Sequence, residues 1–226
     1  MRILKFLMGC FFCLVWLPGC TAPNSAEAFV EVKVEEVPGW MNLFDGNTLE
    51  GWEETNFGGQ GKISVSDGAI ILNWGAVLTG ITWKREFPVA DYEIYLEAMK
   101  IQGNDFFCAL TFPIEDTHAS LILGGWGGTV TGITSIMGQD ASENETTTIR
   151  KYEKNQWYKV RLRVTGERVT AWVDEAVIVD MDTVGADFDI RPEVSLSRPL
   201  GIAAFQTTAA LRNIRYRKLD ENRTGN

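Results

Sequence analysis

The stretch "WYKVRLRVTGERVTAWVD" (157–174) decides the fold. Its first eight residues alternate strictly. Tyr158, Val160, Leu162 and Val164 fall on one side of an extended chain, and Trp157, Lys159, Arg161 and Arg163 on the other. After Thr165 and Gly166 the pattern resumes, with Val169, Ala171 and Val173 opposed to Thr170, Trp172 and Asp174. Successive strand side chains point to opposite faces, so a period of two means one buried face and one wet face. A helix would need apolar residues three and four apart.

The same period extends through the chain. "DYEIYLEAM" (91–99) sets Tyr92, Ile94, Leu96 and Ala98 against Glu93, Tyr95, Glu97 and Met99. "DFFCALTF" (105–112) sets Phe106, Cys108, Leu110 and Phe112 against Asp105, Phe107, Ala109 and Thr111. Gly, Asp and Asn separate the segments, and no window of helical length carries a clean apolar stripe. The reading is all-β, a two-sheet sandwich.

The first 20 residues are not part of that sandwich. Arg2 and Lys5 precede an apolar run over residues 6–17, followed by "LPGC" at 17–20. A charged start, a short apolar stretch and a small residue before a cut describe an export signal. The cysteine after Leu-x-Gly resembles the lipobox of bacterial lipoproteins. That resemblance implies cleavage after residue 19, acylation of Cys20, and anchoring to the cell envelope, with the outer membrane preferred because Thr21 is not aspartate. Several acyl chains hold a protein on a membrane where one is marginal. The expected division is a signal peptide over residues 1–19, a lipid-anchored tether over 20–37, a β-sandwich domain over 38–219 and a flexible tail over 220–226.

The 226-residue chain carries a formal net charge of −9, and loss of Arg2 and Lys5 takes this to about −11. Such a balance disfavours nucleic acid and anionic lipid surfaces as partners. Of four cysteines, Cys10 and Cys13 leave with the signal and Cys20 takes lipid, so Cys108 stands alone and no internal disulfide is available. Its bulky apolar neighbours mark it as a buried inert thiol.

Five stretches together resemble the 3-keto-disaccharide hydrolase domain: "NLFDGNTLEGW" (42–52), "ISVSDGAIIL" (63–72), "NQWYKVRLRVTGERVTAWVDEAVIVD" (155–180), "LGIAAFQTT" (200–208) and "LRNIRYRKL" (211–219). The most specific pieces are Phe-Asp-Gly-x-x-Leu-x-Gly-Trp, ending at Trp52, and Arg212-Asn213-Ile214. The resemblance implies a concanavalin A/laminin G-like jelly roll acting on carbohydrate. Its reaction would be cleavage of 3-keto-glycosides by base-assisted removal of the C2 proton, elimination at C1 and hydration. The chain departs from the family pattern in the middle. "GNDFFCALTF" (103–112) and "ASLILGGWGG" (119–128) stand where many members carry polar residues.

Jelly rolls of this kind leave one outer sheet face open to sugar. If the Phe106 side is core, Asp105 points outward. On the next strand Ala119, Leu121 and Leu123 are core and His118 points outward. Three consecutive strands then place Glu97, Asp105 and His118 on one open face as candidate catalytic groups. For His118 the other reading is a solvated residue at a strand end. Trp126, within "GGWGG", and Trp172 are candidate sugar platforms, with Trp74 beside them; Arg161 is a candidate stabiliser of an oxyanion. Asp140, Glu143 and Glu145 in "GQDASENETTTIR" (138–150) suit a divalent metal such as calcium, against the alternative of a solvated acidic loop. The domain has no phosphate-binding glycine loop and no zinc-ligand spacing, so no other cofactor is implied. Two functions stay open: a hydrolase of 3-keto-sugars, and a lipid-anchored glycan-binding module of the same fold.

Overall fold

The computed structural model describes residues 35–219; the expected signal peptide, Cys20, most of the tether and the tail lie outside them. In chain order the strands are β1 (Met41–Asn42), β2 (Trp52–Glu54), β3 (Ile63–Ser66), β4 (Ala69–Leu72), β5 (Thr79–Trp83), β6 (Tyr92–Gly103), β7 (Cys108–Ile114) and β8 (Thr117–Gly125). There follow β9 (Val130–Thr134), β10 (Thr148–Ile149), β11 (Trp157–Val164), β12 (Arg168–Val173), β13 (Ala176–Asp182), a short 3-10 helix (Pro192–Ser197), β14 (Gly201–Ala204) and β15 (Thr207–Lys218).

They form two antiparallel sheets. One is eight-stranded, in the order β13-β12-β11-β6-β15-β4-β3 with β1 added to β15; the other is seven-stranded, in the order β10-β9-β8-β7-β14-β5-β2. The alternation in the sequence lands as the pattern requires. Tyr92, Ile94, Leu96, Ala98, Tyr158, Val160, Leu162 and Val164 point inward from the first sheet and meet Leu110, Phe112, Leu121, Leu123, Ile133 and Ile202 from the second. Each fully buried Leu, Ile or Phe contributes about 1.5–3 kcal/mol.

The two signature motifs turn out to be joints. Asp45 accepts bonds from the backbone of Asn47 (2.8 Å) and Thr48 (2.7 Å), closing a turn through Gly46 at φ 82°. Trp52, buried in the core, donates its indole N–H to Leu43 O at 2.7 Å, tying that turn to β2. In β15 the pairing with β6 slips between Arg212 and Arg215, and Asn213 takes φ 53°. The bulge turns Arg212 and Asn213 to the same carboxylate, Glu97, while Ile214 goes into the core. Asp174 and Glu175 make the tight turn between β12 and β13, with Asp174 at φ 57°.

Two expectations need correction. β6 and β7 follow each other in sequence but lie in different sheets, so Glu97 does not share a face with Asp105 and His118. The residues between them carry the chain from one sheet to the other, and consecutive strands pair only when both stay in one sheet. For the same reason the alternation of β7 does not extend back to 106–107. Phe107 is fully buried against the rings of Tyr152 (5.0 Å) and Tyr158 (6.0 Å), while Phe106 faces outward and packs on Phe205 (5.8 Å).

Candidate functional site

The outer face of the seven-stranded sheet is built from small residues: Gly80, Ala109, Thr111, Ser120, Gly132, Thr134, Gly201 and Ala203. Small side chains let other chain segments settle directly on the sheet, and two do. Residues 139–147 lie over Gly132, where a Cβ would come within 2.9 Å of Thr146 Oγ1 and 3.3 Å of Ala141 O. The 3-10 helix lies over Gly201, where a Cβ would meet Ser197 O at 2.6 Å, and Thr82 Oγ1 donates to Leu196 O at 3.1 Å.

Between these covers the face stays open as a cavity of about 300 Å³ lined by Leu78, Asp105, Phe106, Ile122, Trp126, Thr134, Arg191, Glu193, Val194 and Phe205. That is the small end of the range for ligand pockets. Its floor is apolar and aromatic. Trp126 stands at the rim, 43% exposed, on a left-handed backbone (φ 49°) between Gly125 and Gly127.

Asp105 sits where the chain enters the seven-stranded sheet. Thr207 Oγ1 pins its backbone on both sides, donating to Asp105 O at 2.9 Å and accepting from Asp105 N at 3.2 Å. The carboxylate accepts the amides of Phe106 (2.8 Å) and Gly127 (3.2 Å), and among the described residues no cation is paired with it. Asp105 therefore links the β6–β7 crossing to the Trp126 loop and keeps lone pairs free for a ligand proton.

Arg191 forms the opposite polar wall. It donates to Asp140 Oδ2 (2.5 Å), Glu193 Oε1 (3.0 Å) and Glu193 Oε2 (3.3 Å), and Thr134 Oγ1 donates to Asp140 Oδ1 at 3.0 Å. The hydrogen bond from Arg191 holds the Glu193 carboxyl below its usual range, and Glu193 and Asp140 in turn keep Arg191 protonated. A guanidinium has five N–H donors, and three are used here.

The sequence-derived candidates thus part company. Asp105 and Trp126 meet in the cavity. His118 points outward from β8 opposite Pro113, outside the cavity; burial and then Arg198 push its pKa down, so it is neutral at pH 7. Glu97 lies on the other sheet, where it accepts from Arg212 Nε (2.7 Å), Asn213 (3.0 Å) and Tyr95 OH (3.1 Å). Burial raises its pKa, but those bonds outweigh burial and the net direction is down, which makes Glu97 a poor base. Arg161 and Trp172 also occupy that sheet, stacked on each other at 3.9 Å, and Trp74 lies exposed in the β4–β5 connection.

The carboxylates of the acidic loop do not converge in the structure. Glu143 and Glu145 point to solvent, Asp140 is taken by Arg191, and among the described residues no three His, Cys, Asp or Glu side chains gather to hold a metal ion. The loop instead folds around Asn144, which donates to Ile133 O (2.7 Å) and Gln139 O (3.2 Å) and accepts from Thr146 N (2.9 Å) and Thr146 Oγ1 (2.6 Å).

Arg191, Glu193, Val194 and Phe205 escaped the sequence reading because they sit in connections without a period. One signal was available: "LGIAAF" (200–205) is a strand whose outward residues are Gly201 and Ala203, and such a face invites a covering segment.

Comparison with solved structures finds the same fold at low identity. A Parabacteroides distasonis protein named as a candidate glycosyl hydrolase aligns with TM-score 0.54 at 15% identity, covering 80% of this chain and 94% of that one. The Crh5 transglycosylase solved with NAG aligns with TM-score 0.57 at 12% identity, covering 81% and 85%. Its apo form gives 0.54 at 11% identity, covering 80% and 84%. No curated protein matches. The profile of the 3-keto-alpha-glucoside-1,2-lyase-like domain matches residues 39–218, from the approach to the Asp45 turn to the end of β15, and the chain belongs to that family.

Proposed function

We propose that the cavity on the seven-stranded sheet receives a 3-keto-glycoside and that Asp105 is the base of a 1,2-elimination. The observation that carries this reading is one small cavity holding an unpaired carboxylate, a rim tryptophan and an arginine with free N–H groups. The apolar face of a sugar ring would rest on Trp126. A ketone at C3 acidifies the C2–H bond. Asp105 takes that proton, and the electron pair moves into an enediolate whose oxygen is held by the two remaining N–H groups of Arg191. The pair then forms the C1=C2 bond and expels the C1 substituent. Water adds across that bond to give the free 3-keto sugar.

A second reading has its own support. Asp140 and Glu193 neutralise Arg191, which weakens it as an oxyanion partner, and most of the lining is apolar or aromatic. A glycan-binding module of the same fold needs only the platform and a few hydrogen bonds.

One experiment separates the two. The full chain is incubated with a 3-keto-glucoside bearing a chromogenic leaving group, beside Asp105→Asn and His118→Ala. Elimination predicts release that falls at least 100-fold in Asp105→Asn and is unchanged in His118→Ala, since general-base catalysis is worth about 10²–10⁴-fold. Ligand binding without release establishes the module, and release that survives Asp105→Asn refutes this base.

A further inference from the structure

On the opposite side of the molecule, the outer face of the eight-stranded sheet carries an excess of cations that the acidic chain as a whole does not suggest. The central strand β6 presents Glu93, Tyr95 and Glu97 outward, and the register flanks each with two cations. Arg163 and Arg217 stand either side of Glu93, Arg161 and Arg215 either side of Tyr95, and Lys159 and Arg212 either side of Glu97. Six cations face two carboxylates, on a chain whose net charge is −9.

The two signs lie at different depths. The Glu93 side chain is fully buried and Glu97 is 12% exposed, whereas Arg161, Arg163, Arg212 and Arg217 are 33–39% exposed. Arg161 and Arg163 approach Glu93 at 3.5 Å and Arg217 bonds it directly, so one sunken carboxylate anchors three guanidiniums. Aromatic rings hold the guanidinium planes. Arg161 lies 3.9 Å from the Trp172 ring, Arg212 4.0 Å from Trp157, Arg215 4.3 Å from Tyr95, and Arg217 4.8 Å from Trp40. Guanidiniums fixed in this way lose little entropy on binding, and their planar donor fork matches carboxylate oxygens. The side chains of Arg215 and Lys159 form no ion pair among the described residues; Lys159 touches a carboxylate only through its backbone N–H, which donates to Asp174 Oδ1 at 3.1 Å.

We propose that this face binds an acidic polysaccharide bearing carboxylate groups, laid along β6 between the two cation rows. Neighbouring strands are about 4.8 Å apart, so the rows are about 10 Å apart, and Glu93 to Glu97 spans roughly 13 Å. That strip fits a few residues of an extended polymer. A polymer chain also fits the charge of the molecule better than a membrane does: it touches only the strip, while an anionic bilayer would repel the rest of the acidic surface. Single-stranded nucleic acid needs open rings for its bases, and here Trp172 and Trp157 are covered by Arg161 and Arg212. The inference is independent of the cavity on the other sheet.

The test titrates the full chain with polygalacturonate, neutral dextran, polyglutamate, a single-stranded oligonucleotide and vesicles containing anionic lipid. The comparison protein is the double variant Lys159→Gln/Arg215→Gln, which leaves every Glu93 and Glu97 pair intact and so keeps the fold, checked by its melting temperature. The expected result is polygalacturonate binding that weakens with salt, a Kd raised about tenfold in the variant, and no binding of dextran. Polygalacturonate binding that is absent, or unchanged in the variant, overturns the proposal. So does equal or tighter binding of polyglutamate, oligonucleotide or vesicles.

Discussion

Glu97 on β6 and Arg212 on β15 form a hydrogen-bonded ion pair at 2.7 Å, with the guanidinium resting 4.0 Å from the Trp157 ring. The bulge that delivers Arg212 also delivers Asn213 to the same carboxylate, so a three-residue motif acts as the clamp between two central strands. Removing Glu97 leaves Arg212, Asn213 and Tyr95 without their acceptor. Glu97→Ala is expected to cost about 2 kcal/mol, since breaking a largely buried pair strands its partners. Urea unfolding of the two proteins measures it.

The same pair predicts a pH dependence. The folded pKa of Glu97 lies below its ordinary value, so its stabilisation is present in full above the unfolded carboxylate pKa, about 4.3. It is lost as pH falls through the folded pKa. The stability gap between the wild type and Glu97→Gln therefore stays constant near neutrality and narrows below about pH 4. A gap that widens on acidification would contradict this assignment.

Cys108 is fully buried in the core, and burial pushes its thiol pKa up to about 12. Thiolate is the reactive species, so the native thiol should resist labelling. A thiol reagent applied to the domain over residues 35–219 should modify no cysteine in buffer and one in denaturant. Stoichiometric labelling of the native domain would place Cys108 at the surface.

Local pattern carried the strands, their buried faces and the Asp45 and Asp174 turns, because each depends on residues a few positions apart. Which sheet a strand joins depends on a crossing between sheets, and "QGNDF" (102–106) has no feature that distinguishes a crossing from a hairpin. Alternation alone therefore groups Glu97 with Asp105 and His118. The cavity shows the same limit. Asp105 and Trp126 are visible as a polar residue and an aromatic near glycines, but Arg191 reaches them only through a connection of irregular length.

The acidic loop yields a paired prediction. The Asn144 side chain makes four hydrogen bonds at 8% exposure, while the side chains of Glu143 and Glu145 make none of the loop's internal ones and point outward. Asn144→Ala takes one partner from each of these buried carbonyl, amide and hydroxyl groups, at about 2 kcal/mol, or roughly 4–8 °C of melting temperature for a domain of this size. The double variant Glu143→Gln/Glu145→Gln should melt within about 1 °C of the wild type, since surface substitutions are usually within ±0.5 kcal/mol. Calorimetry of both variants decides whether the loop is held by its asparagine or by its carboxylates.

Trp126 separates function from stability in a single residue. A bulky residue at φ 49° carries a backbone cost of about 1–2 kcal/mol that glycine does not. The ring is 43% exposed, so it returns little burial energy to the fold. Gly127 and Gly128 beside it take the same left-handed region at φ 83° and 107°, so a glycine at 126 fits the loop without rearrangement. Trp126→Gly should therefore melt at or slightly above the wild-type temperature. If the ring is the platform for a sugar in the cavity, the same variant should weaken ligand binding or raise KM at least tenfold. Trp126→Ala, which keeps the backbone cost, should lose the ligand equally without the gain in stability. Retained binding in both variants would remove Trp126 from the site, and a large fall in melting temperature would mean that the ring packs as a structural wedge.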